Sequence, residues 1–292
     1  MDAPKILLIG KNGQVGWELQ RTLSPLGNVL AVDYPEIDLA EATAVRRLVL
    51  DNKPQVVVNA AAYTAVDKAE SEPDLAMLIN GMAPGVLAEA AKQTGALLVH
   101  YSTDYVYDGT KREPYVETDP TNPLSVYGRT KLAGDQAVQT AGCNHLTFRL
   151  CWVYGARGQN FLLTMMRLAR ERETLRVVRD QIGSPTWSRM IAEATALALK
   201  QALAARDPEA HKGIYHLTAS GFTSWHDFAS RIVELMPEQE KKCKVVEAVT
   251  TPEYPTPAKR PAYSALNCGK FERKFGLRLP RWEESLRQVL ES

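Results

Sequence analysis

Short apolar runs alternate with longer stretches of helical periodicity through the first half of the chain. Most of these runs lack regular alternation with polar positions, which is typical of parallel strands buried on both faces. They predict strands at residues 5–9, 28–33, 55–60, 96–101 and 145–151. The intervening periodicity predicts helices at residues 14–24, 41–52, 73–94 and 125–141. Such strand–helix repetition predicts an α/β fold with a doubly wound parallel sheet and right-handed crossovers.

The pattern changes after Cys151. Helical periodicity recurs at about residues 159–173, 189–204, 224–235 and 282–290, with strands at 175–178 and 213–217 and a proline-rich stretch at 252–261. We therefore predict two parts. Residues 1–152 form the dinucleotide-binding domain of Rossmann type, and residues 153–292 form mainly a smaller α/β lobe that binds substrate and caps the sheet. The boundary is soft, because later segments can return to the first sheet.

Composition narrows the function classes. The chain has 292 residues, is 45% hydrophobic and 24% charged, and carries a formal net charge of +1. These values favour a globular protein. Its net charge is too small to attract nucleic acid or an anionic membrane through a long-range electrostatic field. The apolar runs are too short to span a bilayer, and a strand follows Pro4 directly, so we expect no signal peptide and a cytoplasmic location. The cysteines form no CxxC pair, which favours reduced thiols.

A glycine-rich turn follows the first predicted strand. The spacing GxxGxxG lets Gly10 make a tight turn, Gly13 bring the backbone close to a pyrophosphate, and Gly16 pack the helix closely on the strand. The helix N-terminus would then face the anion. This arrangement predicts a dinucleotide site formed by Gly10, Lys11, Asn12, Gly13, Gln14, Val15 and Gly16.

The choice between NADH and NADPH stays open. Asp33 ends the second strand, where an acidic side chain accepts from an adenosine ribose hydroxyl and favours NAD. Lys11 favours NADP instead, through its 2′-phosphate. Asp38 and Leu39 are predicted near the adenine, and Ala60, Ala61 and Ala62 along the cofactor's path. Close packing explains the alanines equally well.

A second motif carries acid–base chemistry. Tyr127 and Lys131 lie four residues apart on a predicted helix and so share a face. An ammonium near the phenol is expected to lower the tyrosine pKa from about 10. Thr103 ends the fourth strand, at the edge where open α/β sheets bind ligands. Together these three residues predict proton donation to a carbonyl oxygen as hydride arrives.

In these motifs the chain resembles the extended short-chain dehydrogenase/reductases, and within them the dTDP-4-dehydrorhamnose reductases. The similarity also covers residues 59–70, 102–109, 149–154, 180–186 and 254–261, and runs from residue 5 to about 290. It implies NAD(P)H-dependent reduction of the 4-keto group of dTDP-4-dehydro-β-L-rhamnose to dTDP-L-rhamnose. This reaction belongs to nucleotide-sugar and cell-surface polysaccharide biosynthesis, including that of lipopolysaccharide.

The resemblance also implies a role for each site residue. Tyr127 is the proton donor, and Lys131 tunes it and holds the nicotinamide ribose. Tyr63 belongs to the cofactor site, although histidine is frequent there. The implied substrate contacts are Thr103, Asp104, Trp152, Asn160 and Arg260. Trp152 would form a wall of the sugar pocket and Arg260 would bind the diphosphate; a core tryptophan and a surface cation are the competing interpretations.

Metal binding and partners follow from the same resemblance. Some relatives dimerise through acidic residues and Mg²⁺, and Glu18 matches one such ligand. Arg189 stands where a partner acid would be needed, so Mg²⁺ is possible but no metal site is predicted. The expected partner is a dTDP-sugar, with no nucleic acid and no membrane, and the protein is a monomer or homodimer.

Two other functions stay open. Nucleotide-sugar epimerases retain tightly bound NAD⁺ on this fold, and some reductase-like chains are non-catalytic regulatory subunits. The segment 255–261 favours the reductase, and the complete set Thr103, Tyr127 and Lys131 disfavours a regulatory role. Tyr105 follows Asp104 where a dehydratase would have glutamate.

Overall fold

The computed structural model describes residues 3–291. Its strands are β1 (Lys5–Ile9), β2 (Asn28–Val32), β3 (Val56–Asn59), β4 (Leu97–Thr103), β5 (His145–Leu150), β6 (Val153–Tyr154), β7 (Thr174–Val178), β8 (Ile182–Gly183), β9 (Thr186–Trp187), β10 (Gly213–His216), β11 (Thr223–Ser224) and β12 (Val245–Val249). Its α-helices are α1 (Gln14–Leu23), α2 (Ala42–Asn52), α3 (Val66–Ala69), α4 (Pro73–Met77), α5 (Ala83–Thr94), α6 (Val126–Ala141), α7 (Phe161–Glu171), α8 (Ser188–Ala204), α9 (Trp225–Leu235), α10 (Gly269–Phe275) and α11 (Trp282–Glu291).

A six-stranded sheet in the order β2-β1-β3-β4-β5-β10 forms the centre, and every strand pair in it is parallel. The chain runs outward from β1 in both directions, so a crevice opens between the carboxyl ends of β1 and β3. Open α/β sheets bind ligands at such a switch point. The predicted doubly wound, Rossmann-type parallel sheet is therefore confirmed.

Both faces of this sheet are buried, which explains the unbroken apolar runs of its strands. Ile6 and Leu8 pack in a core that includes residues of α1, α8 and α10, whereas Leu7 and Ile9 pack among residues of α2, α5 and α6. The successive side chains of β1 thus point to opposite faces, and those of residues 6–9 are all buried.

A second core lies in the C-terminal half. It joins apolar residues of α7, α9 and α11 with Leu175 and Val177 of β7, which pairs in parallel with β12. Not all of this half belongs to that core: β10 pairs with β5, and α8 and α10 pack on the central sheet. The division into residues 1–152 and 153–292 stays a prediction.

The helix predicted at 73–94 differs in detail. It consists of α4, a π-helical turn at Leu78–Met82, and α5. Pro84 accounts for the interruption, since it cannot donate the i−4 hydrogen bond of a regular helix. The turn places Asn80 so that its Oδ1 accepts from Tyr63 N at 2.8 Å. Within residues 3–291, no helix combines the length and apolar character needed to cross a bilayer.

Candidate active site

A cleft of about 620 Å³ opens at the switch point. It brings together the glycine turn, the segment after β3, the end of β4, the start of α6 and the segment after β5. Its lining includes Gly10, Asn12, Gly13, Gln14, Val15, Asp33, Ala60, Ala61, Ala62, Thr103, Asp104, Tyr127, Lys131 and Trp152. Most of the residues proposed from sequence for cofactor, catalysis and substrate therefore share one cavity.

The glycine turn has the shape that a dinucleotide requires. Gly10 has φ +90°, and a Cβ there would lie 2.6 Å from Ala61 N. A Cβ at Gly16 would lie 1.9 Å from Gly10 O, whereas one at Gly13 would meet only that oxygen, at 3.4 Å. Gly13 is the N-cap of α1. The N–H groups of the first turn of α1, which have no partner within the helix, therefore face the cleft on the open side of the glycine turn. These residues fit a pyrophosphate.

Acidic residues cluster after β2, at the end of the cleft where the sequence predicts the adenosine ribose. Asp33 Oδ2 accepts from Asn12 N at 2.8 Å. Lys11 Nζ lies 2.6 Å from Glu36 Oε2, and this hydrogen bond lowers the pKa of Glu36. Asp38 accepts from the Ala40 N–H. Lys11 and Asp38 lie outside the cleft lining, as does Leu39, which is buried in the sheet core.

Local capping sets the position of Tyr127. Ser125 is the N-cap of α6, with its Oγ accepting from Gly128 N at 3.2 Å, and Glu70 Oε1 accepts from Val126 N at 2.8 Å. Burial raises the pKa of Tyr127 to about 12, and a hydrogen bond with Thr103 acts in the opposite direction. The sequence-based expectation of a lowered phenol pKa is therefore wrong for this structure, because desolvation dominates.

Lys131 lies one helical turn further along and is 2% exposed. Its Nζ donates to Tyr101 O at 2.6 Å. Burial lowers the pKa of Lys131 to about 8, and the nearby Asp135 carboxylate opposes this shift. Near neutral pH the ammonium form is thus still favoured, but by a smaller margin than in water.

A buried polar chain continues from Asp135. Its Oδ2 lies 3.1 Å from Arg149 Nε, and both side chains are almost fully buried. Arg149 Nη1 donates to Tyr107 Oη at 2.8 Å, and that oxygen lies 2.8 Å from His216 Nε2. Sequence reasoning missed Asp135, although its position four residues after Lys131 places it on the same face of α6.

Thr103 and Asp104 stand at the end of β4. Thr103 Oγ1 donates to Asp104 Oδ1 at 3.0 Å and accepts from Tyr105 N at 3.2 Å. Burial raises the pKa of Asp104 to about 6, with hydrogen bonds from Ser264, Cys151 and Thr103 opposing it. The cleft therefore holds an acid that changes protonation near neutral pH.

Trp152 forms part of an aromatic wall. It has φ +45°, in the left-handed region, and its ring stacks on Trp225 with 3.5 Å between ring centroids. A Cβ at Gly183 would lie 2.4 Å from the Trp152 indole, so only glycine leaves room for this placement. Trp225 also lines the cleft, and sequence reasoning missed it. It carries no motif signal beyond its place at the start of a predicted helix.

Besides Lys11, Asp38 and Leu39, four residues proposed from sequence lie outside the lining: Gly16, which packs against Gly10 in the turn, and three residues with polar side chains. Tyr63 Oη donates to Glu72 Oε2 at 2.6 Å. Asn160 is the N-cap of α7, and its amide donates to Gln14 Oε1 at 3.0 Å. Arg260 forms a two-point ion pair with Asp67, at 2.8 and 3.1 Å. Their assigned roles stay predictions.

Other lining residues were not proposed for the site. They are Thr64, Val66, Tyr101, Ser102, Tyr105, Leu150, Val153, Gly158 and Gln159. Ser102 and Tyr105 flank Thr103 and could have been found from that position. Elsewhere, Arg189 Nε lies 3.4 Å from Glu18 Oε2, and the described part of the chain holds no group of three or more potential metal ligands.

One cleft of this doubly wound sheet holds both a glycine turn suited to a dinucleotide and the residues Thr103, Tyr127 and Lys131. This combination defines an NAD(P)-dependent oxidoreductase of the extended short-chain dehydrogenase/reductase type. Within that class, the sequence model of the RmlD substrate binding domain matches residues 4–292. The chain therefore belongs to the RmlD substrate binding domain family.

Curated relatives and solved structures agree with this family. A dTDP-4-dehydrorhamnose reductase of Burkholderia thailandensis is 51% identical over 95% of each chain. That of Salmonella typhimurium is 50% identical over 98% of this chain and 96% of its own. The crystal structure of the Bacillus anthracis reductase in complex with NADP superimposes with a TM-score of 0.91 at 35% identity, covering 100% of both chains. A UDP-glucose 4-epimerase of Thermus thermophilus shares the fold alone, at 20% identity and a TM-score of 0.80.

Proposed function

We propose that this chain reduces the 4-keto group of dTDP-4-dehydro-β-L-rhamnose to dTDP-L-rhamnose, using NADPH or NADH. The observation that carries the proposal is the single cleft that holds both the glycine turn and Tyr127, Lys131 and Thr103. The bound reduced nicotinamide supplies the hydride. We further propose a cytoplasmic enzyme, monomeric or homodimeric, whose dTDP-sugar substrate is the one that the family's relatives are named for.

Tyr127 acts as the proton donor. Because burial raises its pKa to about 12, the phenol is protonated at neutral pH and ready to donate to the C4 oxygen. Thr103 lies beside it at the end of β4, where its hydroxyl can share that oxygen. The raised pKa makes the phenol a general acid in the resting site and makes charge compensation necessary once the proton leaves.

Lys131 provides that compensation. Its ammonium lies on the same face of α6 as Tyr127, held by Tyr101 O. A buried positive charge stabilises the tyrosinate that forms when the proton is transferred. Since the pKa of Lys131 is about 8, this support is expected to weaken as pH rises through that value.

The sugar is held on the other side of the cleft. Asp104 is positioned to bond a sugar hydroxyl, and the Trp152 ring offers an apolar face to sugar C–H groups. For Arg260 to bind the diphosphate, its ion pair with Asp67 must give way.

The assay that tests this proposal is loss of absorbance at 340 nm from NADPH, and separately from NADH, with dTDP-4-dehydro-β-L-rhamnose supplied. Oxidation that requires the sugar supports the reductase. No oxidation by either coenzyme, with the fold intact, contradicts it. NAD⁺ released from the purified, denatured protein would then favour an epimerase, and its absence a regulatory chain.

Tyr127→Phe separates chemistry from binding. The variant keeps the ring and its packing but lacks the donor, so we expect a loss of kcat of roughly 10²-fold or more, typical of general acid removal. Coenzyme affinity, measured by calorimetric titration, should stay within about twofold of wild type. Tyr215→Phe is the matched control, because Tyr215 lies outside the cleft lining and its hydroxyl donates to His211 O. Near-wild-type kcat in Tyr127→Phe would refute the assignment.

A further inference from the structure

Just outside the end of the cleft that Asp33 lines is an ion pair that the proposed reaction does not use. Lys11 is the lysine of the glycine turn, and its Nζ lies 2.6 Å from Glu36 Oε2. The same carboxylate oxygen accepts from Asp33 N at 3.1 Å. Glu36 thus accepts from the glycine turn and from the residue that follows β2, and its carboxylate holds the Lys11 ammonium.

Acidic side chains outnumber basic ones among the residues around this ion pair. Asp33, Glu36 and Asp38 follow the carboxyl end of β2, and Lys11 is the cation that ion-pairs with this group. Asp33 lines the cleft, where a carboxylate suits a ribose diol. A phosphate on that ribose would meet Asp33 directly, while the lysine that could neutralise it is already paired.

We infer that Glu36 is a coenzyme-specificity residue: by pairing with Lys11 it disfavours a 2′-phosphorylated adenosine and favours the unphosphorylated coenzyme. This inference rests on the proposed function only for the presence of a coenzyme. Glu36 does not touch the reacting atoms. Its effect acts through Lys11, so it positions a cation and takes no part in proton or hydride transfer.

Direct binding tests the inference without turnover. Dissociation constants of NADP⁺, NAD⁺, adenosine 2′,5′-bisphosphate and 5′-AMP are measured by calorimetric titration for the wild type and for Glu36→Gln. The glutamine keeps an oxygen that can accept from Asp33 N but loses the charge. We expect affinity for the two 2′-phosphorylated ligands to rise about threefold to fivefold, because the Lys11–Glu36 pair is partly exposed to solvent and such pairs are weak. Affinity for NAD⁺ and 5′-AMP should change by less than about twofold.

Two variants make the result specific. Glu171→Gln removes the same charge from an exposed pair with Arg167 on α7, so it controls for a general change in net charge. In the double variant Lys11→Met/Glu36→Gln, the increase in affinity for the 2′-phosphorylated ligands should disappear, because the Lys11 ammonium that Glu36→Gln releases is absent. An unchanged ratio of NADP⁺ to NAD⁺ affinity in Glu36→Gln overturns the inference. An equal gain in Glu171→Gln, or a gain that survives the loss of Lys11, does the same.

The outcome is distinct from that of the reductase assay. If the wild type binds these adenosine ligands but does not reduce the sugar, the proposed reaction fails and the specificity result stands on its own. If it binds none of them, both proposals fail.

Discussion

Asp104 is an ionisable side chain in a buried environment that disfavours its charged form. It is 2% exposed and lies in the sequence between Thr103, which we propose takes part in catalysis, and the aromatic Tyr105. Burial raises the pKa of its carboxyl from about 4 to about 6. The ionised form is therefore destabilising in the folded protein, although a carboxylate is useful for binding sugar hydroxyls. Such conflicts between stability and activity are typical of functional sites.

Asp104→Asn is expected to stabilise the protein in a pH-dependent way. Because the folded pKa exceeds the unfolded one, the aspartate's contribution is fully present below about pH 4 and is lost as pH rises through about 6. The gain of the variant over wild type should thus be small at pH 4 and about 3 kcal/mol at pH 8. Thermal unfolding at a series of pH values measures it, with Tm raised by roughly 5 °C at pH 8.

Asp108→Asn provides the control of opposite sign. Hydrogen bonds from Thr110, Tyr115 and Asn122 outweigh burial and lower the pKa of Asp108. Its contribution is present above the unfolded pKa and lost as pH falls, so this variant should lose stability at pH 8. Equal pH dependence in the two variants would contradict the assignment of Asp104.

Among the secondary-structure elements, the β1–α1 turn separates two roles for glycine. Gly16 is needed for packing, since a Cβ there would collide with Gly10 O at 1.9 Å, whereas Gly13 has ordinary space and lines the cleft. The same motif thus holds Gly16, which the packing of the turn requires, and Gly13, which we propose is required by the ligand.

Gly13→Ala and Gly16→Ala should therefore behave differently. Gly13→Ala is expected to keep Tm within about 2 °C of wild type but weaken NADP⁺ or NAD⁺ binding at least tenfold, because its methyl group occupies the pyrophosphate's approach. Gly16→Ala should lower both Tm and affinity, since α1 must shift. Thermal unfolding and calorimetric titration distinguish them. A large fall in Tm for Gly13→Ala would show that its role is structural.

The elements themselves show which parts of the fold can be predicted from sequence. The strands of the N-terminal half agree with the apolar runs to within two residues at each end, because burial on both faces leaves a continuous local signal. The two-residue strands β6, β8, β9 and β11 were missed, since such short pairs depend on distant partners. The amphipathic α10 lies in a polar stretch, and Phe271 and Phe275 alone mark its buried face.

The residues of the candidate site likewise fall into those that the sequence predicts and those that it does not. Motif residues such as Gly10, Thr103 and Tyr127 could be predicted because their chemistry depends on spacing along the chain. Trp225 and Glu36 could not, because their roles depend on contacts between segments distant in sequence or on a loop after β2. The direction of the Tyr127 pKa shift was missed for a related reason, since burial is a property of the whole fold.

For the molecule as a whole, the central sheet is completed only by the C-terminal half. β10 pairs with β5, and Tyr215, Phe271 and Phe275 pack in the same core as Phe148. Residues of α8, including Ile191 and Leu199, cover one face of the sheet. The segments that return to the first sheet after residue 152 share its core, as the soft boundary of the two predicted domains allows.

A fragment of residues 1–152 is accordingly expected not to fold cooperatively. It would expose the β5 edge and the sheet face that α8 covers, a loss of apolar burial larger than the net stability of an ordinary domain. Circular dichroism and thermal unfolding of the fragment, beside the full chain, provide the measurement. A sharp unfolding transition in the fragment would instead support an independent first domain.

The buried pair of Asp135 and Arg149 restricts how this chain can change over evolutionary time. Removing one partner leaves the other charge unpaired and buried, a loss of about 3–5 kcal/mol, whereas replacing both with apolar groups is often neutral. Any lineage that changes one position therefore passes through a strongly destabilised intermediate unless the second change accompanies it. Because the pair links α6 to β5 beneath Lys131, the two positions should be inherited as a unit, and substitutions there should occur together.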